Sequence, residues 1–105
     1  MAQFTIYKNK NPQTKSVFPL LLDVQTGLLE DLHSRVVVPL TRTPAALQKP
    51  LSRLTPIIKV DGVSHLLVTY QLAAIGQSAL GSPVADASEH RDAIIAALDL
   101  LVTGI

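Results

Sequence analysis

Residues 56–69 read PIIKVDGVSHLLVT, with aliphatic and β-branched runs on both sides of Asp61-Gly62. Asp-Gly supplies the positive φ that a two-residue hairpin turn needs, because aspartate tolerates the left-handed region and glycine has no Cβ to clash there. The stretch therefore predicts an antiparallel hairpin, residues 56–60 against 63–69. A chain that pairs neighbouring strands through so tight a turn is built from antiparallel sheet.

Upstream, residues 35–40 (RVVVPL) are almost continuously apolar, as expected of a strand buried on both faces. Residues 3–8 (QFTIYK) alternate, with Phe4 and Ile6 on one face, which predicts a half-buried strand. Residues 17–25 (VFPLLLDVQ) predict a second strand; Pro19 has no N–H to donate, so that part belongs at an edge or a bulge. Between these lie a polar loop at 9–16 holding Pro12, and a short segment at 28–33 (LLEDLH) that reads as one helical turn or a structured loop. Residues 41–55, with Pro44 and Pro50, read as connection, with a helical turn around 45–48.

Downstream, residues 71–76 predict a further strand, and 76–83 breaks regular structure with two glycines and a proline. The period then changes. Ala87, Arg91, Ile94, Ile95, Leu98, Leu101 and Val102 follow one face of a helix. Asp86 with Glu89, or Ser88 alone, is placed to cap its start, and Gly104 stands where a helix C′ residue would. Ala93, Ala97 and Leu100 widen the apolar face beyond one stripe, which points to a second contact such as a homodimer partner.

Composition bounds the function. The 105 residues fit one domain, 1–105, and 48% are hydrophobic, enough for a packed core. Only 4% are aromatic and Trp is absent, so few rings are available to stack nucleic-acid bases. Net charge is +1, without the basic stripe that phosphate neutralisation needs. The one local concentration, Lys8, Lys10 and Lys15, has the plain reading of a solvated loop. No direct nucleic-acid binding is expected. The absence of cysteine excludes disulfides, thiol catalysis and thiolate metal sites, and it suits a reducing cytoplasm. Residues 1–8 have no signal-peptide pattern, and no apolar run approaches a membrane span.

Nothing in the motif pattern reads as catalytic. His33, His65 and His90 show no spacing that aims two ligands at one metal. Glu30 and Asp31 are adjacent and point apart; Glu89 and Asp92, beside His90 and Arg91, read as a solvated first helical turn. The glycines are scattered, and no serine or threonine lies in a nucleophile elbow. The expectation is a protein that is not an enzyme, with no metal and no cofactor.

The more specific signal is a set of residues spread along the chain. It comprises Gln3, Phe4 and Tyr7; Asp23-Val24-Gln25; Arg35-Val36-Val37-Val38-Pro39-Leu40; Asp86, Ser88 and Arg91; and Gly104-Ile105. In order and spacing this resembles the CcdB family of toxins across nearly the whole chain. The resemblance implies a mainly-β fold, an SH3-like β-barrel of the CcdB/MazF kind with an additional small antiparallel sheet and one C-terminal α-helix. It also implies a homodimer that binds the A subunit of DNA gyrase, traps its cleavage complex with DNA, and is neutralised by a CcdA-like antitoxin with a disordered tail.

Carried over by position, the resemblance puts the gyrase surface at Asp99, Val102, Thr103, Gly104 and Ile105 on the helix end, and at Thr26, Leu28 and Leu29 on the loop after Asp-Val-Gln. By their own chemistry Leu28 and Leu29 are either an exposed apolar pair or a core plug, and Gly104-Ile105 either a binding end or a helix cap folded back on itself. The family ending Phe-Trp-Gly-Ile is Val-Thr-Gly-Ile here, so the two aromatics are missing. Two alternatives stay open: a MazF-like RNA-cleaving toxin on a similar barrel, and a CcdB homologue with a lost or altered target. For an antitoxin tail of acidic character, Lys8, Lys10 and Lys15 offer a modest electrostatic attraction.

Overall fold

The computed structural model describes residues 3–44 and 52–104. The helical turn expected at 45–48 and the terminal Ile105 lie outside the described residues. Seven strands come first and a helix last: β1 (Thr5–Asn9), β2 (Leu20–Asp23), β3 (Ser34–Arg42), β4 (Ile57–Val60), β5 (Val63–Leu67), β6 (Ala73–Gly76), β7 (Leu80–Asp86) and α1 (Arg91–Thr103). Asp61 and Gly62 both take positive φ, 51° and 79°, and close the β4–β5 hairpin with Val60 opposite Val63. That is the type I′ geometry the dipeptide selects.

The strands form one antiparallel sheet in the order β4-β5-β3-β2-β1-β7, with β6 alongside β3. The long β3 is its spine. One side of β3 runs along β2, from Leu20 opposite Leu40 to Asp23 opposite Val37. The other side is shared: Leu40, Thr41 and Arg42 pair with β5, while Ser34, Arg35, Val36 and Val37 pair with β6. Pro39 sits where one partner strand hands over to the next. Its carbonyl takes the Val68 N–H at 2.9 Å, and no strand there requires the N–H that proline lacks. The small additional part is β6, which branches from this same sheet by pairing with the first half of β3.

Alternation along the strands gives the sheet two apolar faces. Phe4, Ile6, Leu22, Val24, Val38, Leu40, Ile58, Val60 and Leu67 form the inner core, closed by Ala87 and Ile94 from the helical end. Tyr7, Leu21, Val37 and Leu80 form a smaller cluster on the outer face. The terminal strands of the sheet, β4 and β7, bring Val60 and Val84 to the same core and into the lining of one groove. The sheet is thus curled into a half-barrel, with α1 as its only long helix among the described residues.

Several boundaries differ from the sequence reading. The second strand starts at Leu20, because Val17 and Phe18 donate their N–H groups back to the Thr14 carbonyl and Asn9 Nδ2 holds the Phe18 carbonyl at 2.8 Å. Residues 69–71 form a 3-10 turn, so the strand expected at 71–76 is only Ala73–Gly76. The second half of the break expected at 76–83 is the start of strand β7, while Gln77–Ala79 is a 3-10 turn. The strand is tolerated because β7 pairs within the sheet only with β1, and Pro83 falls between two register shifts. The helix is preceded by a 3-10 turn, Ser88–His90, whose first N–H bonds to Asp86 Oδ1 at 2.9 Å. No helix among the described residues is long and apolar enough to cross a membrane.

Candidate functional site

Asp23, Gln25 and Arg35 meet where β2 peels away from β3. Asp23 and Arg35 occupy the outer face, and both side chains are 0% exposed. Arg35 Nε donates to Asp23 Oδ2 at 3.0 Å and Nη2 to Oδ1 at 3.1 Å, a fork-on-carboxylate pair. Nη2 also donates to the Gln25 carbonyl at 3.2 Å, while Asp23 Oδ1 accepts the Gln25 N–H at 3.0 Å. Both main-chain groups of Gln25 are therefore tied to the ion pair.

The ladder between the two strands ends in side-chain amides. Val24 still donates to the Val36 carbonyl at 3.0 Å, but the Val36 N–H goes to Gln25 Oε1 at 2.9 Å. The Val24 carbonyl in turn accepts Gln3 Nε2 at 3.1 Å. Gln25 Nε2 donates onward to the Leu29 carbonyl at 3.2 Å. Phe4, at a positive φ of 69°, donates to the Asp23 carbonyl and accepts the Ala87 N–H at 2.8 Å, joining this corner to the start of the helical segment. Residues from distant parts of the sequence thus form one contiguous structure. The ion pair was not foreseen, because a lone Asp and Arg in two apolar runs carry no pairing signal.

The loop above this network is an apolar display. Gly27–Leu29 forms a 3-10 turn capped by Thr26, whose Oγ1 accepts the Leu28 N–H at 3.3 Å. Leu28 is 93% exposed and Leu29 47% exposed, so the core-plug reading of this pair is excluded. Leu32 is exposed beside them. The far end of the loop is pinned by Gln77, whose N–H donates to the His33 carbonyl at 3.0 Å and whose Nε2 donates to the Leu32 carbonyl at 2.8 Å.

The helix end is a second apolar display. The inner core takes Ile94, and Ala97 is buried, but Leu101 is only partly covered and Val102 is 77% exposed. Asp99 is exposed, and its carbonyl accepts Thr103 Oγ1 at 2.7 Å. Gly104, at φ 78°, closes the helix by donating its N–H to the Leu100 carbonyl at 3.0 Å. Gly104 is therefore a left-handed helix cap. No hydrogen bond among the described residues joins the loop to the helix end.

Lys8, Lys10 and Lys15 are exposed. Lys8 and Lys15 line two adjoining grooves that share Pro19 and Arg42, so Arg42 extends the cluster, a member that sequence distance concealed. His33 is exposed, His90 half-buried, and His65 buried with Nδ1 2.9 Å from the Val63 carbonyl. Among the described residues no group of three or more His, Cys, Asp or Glu is placed to hold a metal ion. The outer-face cavity of about 230 Å³ is lined by residues such as Asn9, Phe18, Leu21, Val37 and Ile75, with no titratable side chain in its wall.

Comparison with known proteins bears on the fold and the family. The fold is similar to a solved structure described as an endoribonuclease in complex with its cognate antitoxin from mycobacterial species. That match has a TM-score of 0.72 and 13% identity, covering 97% of this chain and 94% of the other. A family model described as CcdB protein matches residues 3–104, which include the Gln3–Gln25–Asp23–Arg35 corner and both apolar displays. This chain belongs to the CcdB family.

Proposed function

We propose that this protein is the toxin of a type II toxin–antitoxin system, acting in the cytoplasm as a homodimer that binds the A subunit of DNA gyrase and traps its cleavage complex with DNA. The observation that carries this is the nearly full exposure of Leu28 on a braced loop in a CcdB-family chain. A leucine held out in water beside exposed Leu29 and Leu32 by a hydrogen-bonded scaffold is a poor stability feature and a good anchor for a partner's pocket. Val102 at the helix end is the second anchor. A two-fold axis would repeat both displays, so that one partner meets each of them twice. In this reading the chain performs no bond chemistry, and it needs no metal or cofactor. A CcdA-like antitoxin would neutralise it by covering its surface with a folding-on-binding tail, drawn in by the lysine cluster. The test is a supercoiling and cleavage assay with purified gyrase. Linear DNA should accumulate after detergent and protease; intact plasmid throughout would refute gyrase poisoning.

One observation favours the RNA-cleaving alternative. Lys8, Arg42, His65 and Asp61 line a single groove, and such a set combines phosphate-binding cations with an imidazole. His65 is buried there, and its Nδ1 is engaged by the Val63 carbonyl. Purified protein that cleaves RNA, and a His65→Ala form that does not, would move the function to this groove.

A further inference from the structure

We propose that Gln25, clamped by the Asp23–Arg35 pair, is a positioning residue that presets the loop carrying Leu28 and Leu29 for its protein partner; this rests on reading that loop as a partner surface. Gln25 makes four hydrogen bonds with four different roles. Its N–H and carbonyl are taken by Asp23 and Arg35, its Oε1 accepts from Val36 on β3, and its Nε2 donates to Leu29 in the turn. The two ends of the amide are not interchangeable, since only the oxygen accepts and only the nitrogen donates. A single orientation therefore satisfies both β3 and the turn, and the side chain takes the place of the peptide group that the ladder lacks at Val36.

The loop needs such a brace. None of the residues of its 3-10 turn is buried, so packing cannot fix it. Its own hydrogen bonds are all short-range: Leu28 to Thr26 Oγ1, Leu29 to the Thr26 carbonyl, Glu30 to the Gly27 carbonyl and Leu32 to the Leu29 carbonyl. Gln25 links this turn to the rigid sheet from the near side, as Gln77 does from the far side. A loop held in its bound shape loses less conformational freedom on association, and the gain appears as affinity. The buried ion pair has the same logic. Its guanidinium donates twice to Asp23 and once to the Gln25 carbonyl, so a charge that adds little net stability also fixes the geometry below a surface loop.

The experiment uses the full chain and three variants: Gln25→Leu, Leu28→Asp, and Ile58→Val in the core as a control for lost stability. Gln25→Met, of similar length, replaces Gln25→Leu if that form does not fold. In the free protein, amide exchange at Leu29 and Leu32 should accelerate about tenfold or more in the Gln25 variant, with the strands unchanged. Binding to the purified A subunit of gyrase should weaken about tenfold or more in the Gln25 and Leu28 variants and stay near wild type in Ile58→Val. Unchanged exchange at Leu29 and Leu32, or a Gln25 variant that binds as tightly as wild type beside a crippled Leu28→Asp, overturns the positioning role. Accelerated exchange with no gyrase binding by the wild-type chain leaves the brace standing and removes the gyrase reading instead.

Discussion

At the residue scale the ion pair and the exposed leucine behave oppositely on substitution. Asp23→Asn leaves a fully buried guanidinium without its counter-charge, and Arg35→Met leaves a buried carboxylate alone. Removing one partner of such a pair costs about 3–5 kcal/mol, so both variants should lower the urea midpoint severely. A midpoint within experimental error of wild type for either would show that the pair is not held as described. Leu28→Asp touches nothing in the core and should change stability by no more than about 0.5 kcal/mol, yet it should reduce gyrase binding by about 2 kcal/mol or more. Equal affinity for the gyrase target would exclude the loop as an anchor. Leu28 was legible in the sequence as one of two readings, and only solvent exposure decided between them. The ion pair was not legible, since its partners stand 12 residues apart with no regular spacing between them.

At the element scale the C-terminal turn of α1 separates fold from function. Thr103 and Gly104 are exposed, while the core contacts of the helix come from Ile94, Ala97, Ile95 and Leu98. Deleting Thr103, Gly104 and Ile105 removes a cap and should cost roughly 0.5–2 kcal/mol. Under the proposed function, growth inhibition and gyrase trapping should be lost altogether, because in a homodimer the truncation strikes the same surface twice. If activity instead falls only in step with the thermal midpoint, the terminus is a cap and nothing more. The helix was legible from its period, and the β4–β5 hairpin from Asp61-Gly62. Strand β7 was not, because a proline in a strand is acceptable only when its free side faces no partner, and that depends on sheet order.

At the scale of the whole molecule, the half-covered helix and the exposed aliphatics at Leu101 and Val102 predict association. Sedimentation at micromolar concentration should show a species of twice the 11.3 kDa chain mass. A persistent 11.3 kDa species would count against a symmetric toxin. The exposed lysine cluster makes a kinetic prediction. Charge reversal at Lys8, Lys10 and Lys15 should slow association with an acidic antitoxin tail and flatten its salt dependence, because steering acts on encounter more than on the bound state. A rate and salt slope equal to wild type would leave the lysines as a solvated loop.

By itself the sequence determined what depends on local dihedrals and periodicity. These are the Asp61-Gly62 turn, the β3 run buried on both faces, the closing amphipathic helix, a cysteine-free aliphatic core, and the order of residues that marks the family. The tertiary structure decided what depends on which strand lies beside which. It brought Asp23 under Arg35, let Gln3 and Gln25 replace missing peptide groups, set Arg42 next to Lys8 and Lys15, and left Leu28 in solvent. The division has one physical cause. A turn or a period is encoded within a few neighbouring residues, whereas side-chain hydrogen bonds and exposure arise only when the curled sheet brings distant segments to the same corner.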